Sequence, residues 1–182
     1  MRLLEKVAKR KVKIVNYDPQ WPILYEKEKA LIQTAIGHII VGIEHIGSTA
    51  IPSLGAKPII DILVAVNHLS DAEQCITPLQ SIGYEYVPEY EASIPERRYF
   101  HKGHPPKEQH YHLHMVEPAS DFWKKHLLFR DHLRTHPKFA QKYYELKKRL
   151  ALKYGSDREG YTEAKTSFIK SIVTKATYKH KK

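Results

Sequence analysis

Apolar positions along the chain switch between alternating and helical spacing several times, and each switch marks a predicted element. Residues 12–17 alternate apolar with polar and predict a short edge strand. Asp18-Pro19-Gln20-Trp21-Pro22 reads as a turn, with Pro22 suited to the first position of a helix. Leu24, Leu31, Ile32 and Ala35 then form one helical stripe, which Gly37 ends. Two strand-like runs follow, Val41–Ile46 and Ile59–Val66. Ser70-Asp71-Ala72-Glu73 is a capping box, so a helix starts there and stops at Gly83, with Pro78 kinking or shortening it. Tyr84–Val87 and Arg97–Lys102 predict strands around a polar loop, Glu89–Pro95, and a second loop, 103–109, leads into His110–Val116. In that last strand His110, His112 and His114 share one face, and Tyr111, Leu113 and Met115 the other.

Helices finish the chain. The first runs from near Ser120 to Thr135 and is stopped by His136-Pro137. Pro137 opens the second, which carries Phe139, Tyr143, Leu146 and Leu150 and ends at Gly155. The third begins near Tyr161 and reaches about Ala176. Strands first and helices last predict an α+β fold, a mixed sheet with helices packed mainly on one face and a helical C-terminal part.

Composition changes this picture only in places. At 182 residues one compact domain spanning 1–182 is expected, long enough to bury a real core. A single cysteine, Cys75, rules out an internal disulfide and suits a reducing compartment. With no signal peptide and no 18-residue apolar span, the expectation is a cytoplasmic protein without a membrane partner. Net charge is +10 and the pI about 9.5, which favours an anionic partner. Much of the excess is terminal, in residues 1–11 and 175–182, and reads as solvated tails.

The stretch from Glu44 to Val64 carries the densest chemistry. Gly47 permits close backbone approach, and Ser48 and Thr49 add hydroxyls beside exposed amides, a combination that can hold a phosphate. Asp61 interrupts the apolar run 58–64, where a charge is costly unless it meets a metal, a cation or the end of a cleft. A tight turn plus an aspartate paired with an arginine is the plainer alternative.

The run EHIGSTAIPSLGAKPIIDILV resembles the signature of the GrpB family, within the nucleotidyltransferase-like superfamily. The likeness extends from Val15 to Lys165. It implies a hydrophobic-Gly-Ser turn, met by Gly47-Ser48, then a strand with two acids, of which Asp61 is the first. The second acid falls on Leu63, and the strand expected to supply a third, His110–Val116, offers His112 and His114 instead. Ser48 and Asp61 are therefore the catalytic candidates that the resemblance supplies. Asp61, His112 and His114 would suit Mn, Fe or Zn ahead of Mg, which prefers oxygen ligands. A polar cleft face without metal is the alternative.

Anion contacts can be read from helical spacing. Arg130 and Arg134 fall on the same helix face as Trp123 and Leu127, so they point into the fold, either as a phosphate clamp or paired with Asp131, Glu44 or Asp61. Arg98 and Lys57 are further candidates. Tyr161 and Lys165 share a stripe with Phe168 and Ile172, and Lys165 either snorkels to the edge or meets a phosphate. No phosphate loop, zinc-protease motif, nucleophile elbow or Cys-x-x-Cys is present. A small phosphorylated ligand, nucleotide or coenzyme, ranks ahead of nucleic acid. The resemblance implies either nucleotidyl transfer, with pyrophosphate as leaving group, or a non-catalytic accessory module, since family members occur fused to dephospho-coenzyme A kinase.

Overall fold

A computed structural model describes residues 11–104 and 108–179. Its mixed five-stranded sheet has the order β1-β2-β5-β4-β3, from β1 (Ile40–Ile46), β2 (Ile59–Val66), β3 (Glu85–Tyr86), β4 (Arg98–Lys102) and β5 (His110–Val116). The central pair β2 and β5 is parallel, and every other pairing is antiparallel. Helices α1 (Gln20–Ile36) and α2 (Ala72–Ser81) lie among the strands in sequence, and α3 (Asp121–Thr135), α4 (Pro137–Tyr154), α5 (Arg158–Glu163) and α6 (Thr166–Lys179) follow them. The α+β class is as the sequence predicts. Among the described residues no helix is long and apolar enough to cross a membrane. Residues 1–10 and 180–182 of the predicted tails, and 105–107 of the predicted loop, lie outside the described residues.

Alternation sets what each sheet face does. Ile60, Ile62, Val64 and Val66 of β2, with Tyr111, Leu113 and Met115 of β5 and Phe100 of β4, pack on Trp21, Tyr25, Ile32 and Ile36 of α1 and on Cys75 and Leu79 of α2. Each such side chain, fully buried, contributes about 1.5–3 kcal/mol. The opposite face is covered by α3 at one end, where Phe122, Trp123 and Leu127 meet Ile46, Leu63 and Val116. Beyond that cover the face opens on Asp61, His112 and His114. A third apolar cluster joins Ile51 and Leu54 to Leu133, Tyr143 and Ile172, so the C-terminal helices dock on the loop between β1 and β2.

Several boundaries differ from the sequence reading. Residues 12–17 make a single bridge, Val15 to Ala56, because the segment they meet is a loop rather than a strand. Helix α1 starts two residues before Pro22, where the Asp18 carboxylate accepts from the Gln20 amide at 2.9 Å. The capping box forms two residues early, with His68 N donating to Asp71 Oδ2 at 3.1 Å. The last predicted helix is two helices, and Lys165 sits at the break between them.

Candidate functional site

The turn after β1 is shaped around Asp61. Gly47 has φ 73°, and a Cβ there would lie 2.4 Å from Asp61 Oδ2, so only glycine lets the turn pass this close to the carboxylate. Ser48–Ala50 then makes a 3₁₀ turn whose Ala50 and Ile51 amides donate to the Gly47 and Ser48 carbonyls, each at 3.2 Å. The Ser48 hydroxyl lies near the Tyr143 phenol and opposes the upward push of burial on it. Thr49 is committed to the scaffold. Its hydroxyl donates to the Ile59 carbonyl at 3.0 Å and lies 3.1 Å from His45 Nε2.

Asp61 points to the open face, away from Ile60 and Ile62. Its register partner on the parallel neighbour is His112, with His114 two residues on. His112 Nδ1 is 3.2 Å and His114 Nε2 3.8 Å from Asp61 Oδ1. Burial pushes the Asp61 carboxyl up, but hydrogen bonds from His112 and His114 outweigh it and hold the group well below the usual carboxylate range. Burial lowers His114 to about 4 against the pull of Asp61, so that imidazole is neutral at pH 7. One ligand atom from each of Asp61, His112 and His114 falls within a 4.8 Å set. One carboxylate with imidazole nitrogen fits a single borderline cation. It does not fit a pair of hard cations, which would need two or three carboxylates. Leu63, where a second acid would stand, is 0% exposed within the apolar cluster under α3.

These groups open into a cavity of about 390 Å³. Of the residues singled out from sequence, its walls collect Gly47, Ser48, Thr49, Lys57, Asp61, His112, His114, Tyr161 and Lys165. They also include Tyr143, which the sequence places on a helical stripe without assigning it to a site, and Lys147, which the sequence reading does not name. Lys147 is only 3% exposed, donates to the Gly55 carbonyl at 2.6 Å and lies 4.9 Å from the Tyr143 ring centroid. Lys57 and Lys165 approach the Tyr161 ring at 5.1 and 4.5 Å. Burial, aided by Lys165 and Lys57, lowers Lys147 to about 7. Burial and then Lys57 lower Lys165 to about 8, with Asp61 opposing. Lysine ion pairs among the described residues are Lys29–Glu26, Lys102–Glu28 and Lys125–Asp121. Of the four lysines that line the cavity, Lys125 is paired with Asp121, while Lys57, Lys147 and Lys165 repel one another without a carboxylate partner, and the Tyr161 hydroxyl is buried without a hydrogen-bond partner.

The three arginine candidates lie outside this cavity. Arg98 shares the face of Phe100 and Lys102, opposite Asp61, and pairs there with Glu91 at 3.4 Å. Arg130 points inward as its helix face predicts, but it is met by Glu44 at 2.6 Å, Asp131 at 2.7 Å and the His45 carbonyl at 3.0 Å. Arg134 donates to the Ala50 carbonyl at 2.9 Å. Both tie α3 to β1 and the Gly47 turn. Arg97 does approach the site, with its NH1 3.3 Å from His114 Nδ1, and Arg158 is close enough to lower Lys57 and His110 electrostatically. Strand parity carried a signal for Arg97, since 97, 99 and 101 alternate with 98, 100 and 102. Lys147 had a signal too. Tyr143-x-x-x-Lys147 repeats the spacing of Tyr161-x-x-x-Lys165, and in both pairs the ammonium lies over its own tyrosine ring.

A family model described as GrpB protein matches residues 11–175. The chain belongs to the GrpB family. It is 39% identical over 168 residues to the UPF0157 protein YqkA of Bacillus subtilis, covering 92% of this chain and 48% of that protein. To the glutamate-rich protein GrpB of Alkalihalophilus pseudofirmus it is 37% identical over 175 residues, covering 92% of this chain and 97% of that protein. It thus spans about half of the first relative and nearly all of the second. The crystal structure of the conserved protein GrpB from Enterococcus faecalis superposes with a TM-score of 0.82 at 35% identity, covering 93% of this chain and 100% of that one.

Proposed function

We propose that this GrpB-family cleft binds the phosphate groups of a nucleotide or another phosphorylated small molecule. One observation carries the reading: Lys57, Lys147 and Lys165 converge, without carboxylate partners, on the cavity that Asp61 floors. Gathering three ammonium groups in a half-buried space is unfavourable until an anion enters. Desolvated charge-assisted contacts then recover that cost, and Ser48 and the Tyr161 hydroxyl add donors. A cavity of about 390 Å³ suits a compact ligand better than a nucleic-acid strand.

In the transfer reading, an acceptor hydroxyl attacks the α-phosphorus in line. The bond from that phosphorus to the bridging oxygen breaks, and pyrophosphate leaves with its charge held by the lysines. The hydroxyl proton passes to bulk water, because the Asp61 carboxylate, held well below the usual carboxylate range, is too weak a base to take it and serves as an anionic ligand. A divalent cation held by Asp61 and imidazole would supply Lewis-acid stabilisation of the phosphoryl oxygens. A second reading, binding without transfer, is favoured by Leu63, whose buried side chain leaves the strand one acid short.

Calorimetric titration with pyrophosphate, ATP, UTP and dephospho-coenzyme A tests the proposal, using wild type and the Lys147→Met and Lys165→Met variants. At least one compound should bind. Each substitution should weaken it by about 1.5–3 kcal/mol, the range for a charge-assisted contact. Binding unaffected by both substitutions would remove the lysines from the site. Release of pyrophosphate from a nucleotide would separate the transfer reading from binding alone.

A further inference from the structure

Arg97 stands just before β4, and its guanidinium lies behind His114, away from Asp61. The rings of Tyr90, Tyr99 and Phe122 hold it there, at 5.9, 5.1 and 5.6 Å. Its NH1 is 3.3 Å from His114 Nδ1. A guanidinium carries five N–H donors, has no acceptor, and stays charged in proteins. Nδ1 must therefore be the bare, accepting nitrogen of that contact. A neutral imidazole then carries its hydrogen on Nε2, the atom that faces Asp61 Oδ1 at 3.8 Å.

We infer that Arg97 is a positioning residue that fixes His114 as an N–H donor toward Asp61 and so removes it from the ligand set of any cation bound there. This rests on the reading of Asp61 as the centre of the site. Coordination through Nε2 needs a lone pair on that atom, which moves the hydrogen to Nδ1. There it would face an arginine N–H, donor against donor. Histidines that bind metal are ordinarily backed the other way, with the far N–H given to a carboxylate or a carbonyl. The fixed positive charge of Arg97 adds a further penalty for a cation at His114.

His112 is placed differently. Its Nδ1 is 3.2 Å from the same Asp61 oxygen, and its ring packs against Tyr99 and His110 rather than against a guanidinium. A cation would accordingly be held by Asp61 and His112, with its other positions filled by water or by phosphate oxygens of the ligand. His114 steadies the carboxylate from the side. The three ligand atoms thus lie within one 4.8 Å set, yet they play two different parts.

The tautomer is read in metal-free protein from long-range proton–nitrogen correlation spectra of the histidine rings. His114 should appear as the Nε2–H form. Arg97→Lys should keep it so, because an ammonium also only donates. Arg97→Gln should admit the Nδ1–H form, since an amide oxygen can accept from it. Calorimetric titration with Zn²⁺ supplies the second readout. His112→Ala should weaken binding by about tenfold or more, the size of loss that ligand changes produce, while His114→Gln, which removes the imidazole but keeps an N–H donor toward Asp61, should weaken it by no more than about threefold. Arg97→Gln should tighten it. A wild-type His114 in the Nδ1–H form, or a loss in His114→Gln as large as that in His112→Ala, would overturn the inference. Should wild type take up no Zn²⁺, the spectrum alone decides the role of Arg97, and the cation drops out of the proposed function while phosphate binding is judged separately.

Discussion

Single atoms decide whether Asp61 can work. Gly47 gives way to the carboxylate because it has no Cβ, and its φ of 73° lies where other residues are strained. Gly47→Ala should cost about 1–3 kcal/mol of stability. It should also displace Asp61 and abolish ligand binding in the fraction that folds. Gly83→Ala is the matched control. Its φ of 94° imposes comparable strain, but its Cβ would come no closer than 3.6 Å to the Lys102 side chain, far from the cleft. Stability should therefore fall while binding holds, as urea unfolding beside titration would show. Equal effects of the two variants on binding would deny Gly47 its special relation to Asp61. At this scale the sequence was informative where spacing alone sufficed. Gly47, Asp61, His112 and His114 follow from a turn and a period of two. Arg97 was passed over for Arg98 although alternation separates them, and the tautomer that Arg97 dictates needs a distance no spacing supplies.

Elements decide which cations face the ligand. Helical spacing places Arg130 and Arg134 on the inward side of α3, but it cannot say what waits there. Glu44 is on the sheet face that α3 covers, one strand over from Leu63, and its carboxylate takes the Arg130 guanidinium first. Arg130 is 7% exposed, whereas the Glu44 side chain is 41% exposed. Arg130→Ala should therefore cost about 3 kcal/mol, the low end for breaking a buried pair, because Glu44 can turn to water. Affinity for a phosphate ligand, measured on the folded protein, should change by less than about twofold, since residues outside a site usually act independently of it. A tenfold loss of affinity with stability intact would restore Arg130 to the ligand site. Helix α4 contributes an unpaired cation to the cleft, whereas the α3 lysine that lines it, Lys125, is paired with Asp121. Lys147 follows Tyr143 by one helical turn, and it becomes a cleft residue because α4 docks on the loop between β1 and β2. That docking is a tertiary fact. The α+β class and the main strands were legible from period alone, while the split after Glu163 that leaves Lys165 at a helix break was not.

Over the whole molecule, charge explains more about the cleft than the overall excess does. Net charge of +10 favours anions without naming a place for them. The cleft names one, by holding Lys57, Lys147 and Lys165 beside a single carboxylate. Two opposite pH trends follow. Burial is the larger cause that lowers Lys147 to about 7 and Lys165 to about 8, from the usual 10.5. Between those values and 10.5 the unfolded chain binds more protons than the folded one, so ligand-free stability should rise with pH across that window. Phosphate affinity should fall over the same window, because the ligand needs the ammonium forms. The most direct test of the central claim is proton uptake on binding. Titration of the tightest-binding phosphate compound at pH 8, in buffers of different ionisation heat, measures it, and nucleotide phosphates above a pKa of about 6 contribute little of their own. The lysine cleft predicts net uptake of about one proton, as Lys147 and Lys165 are drawn to their charged forms. Zero uptake, proton release, or no binding by any of the phosphate compounds would contradict it.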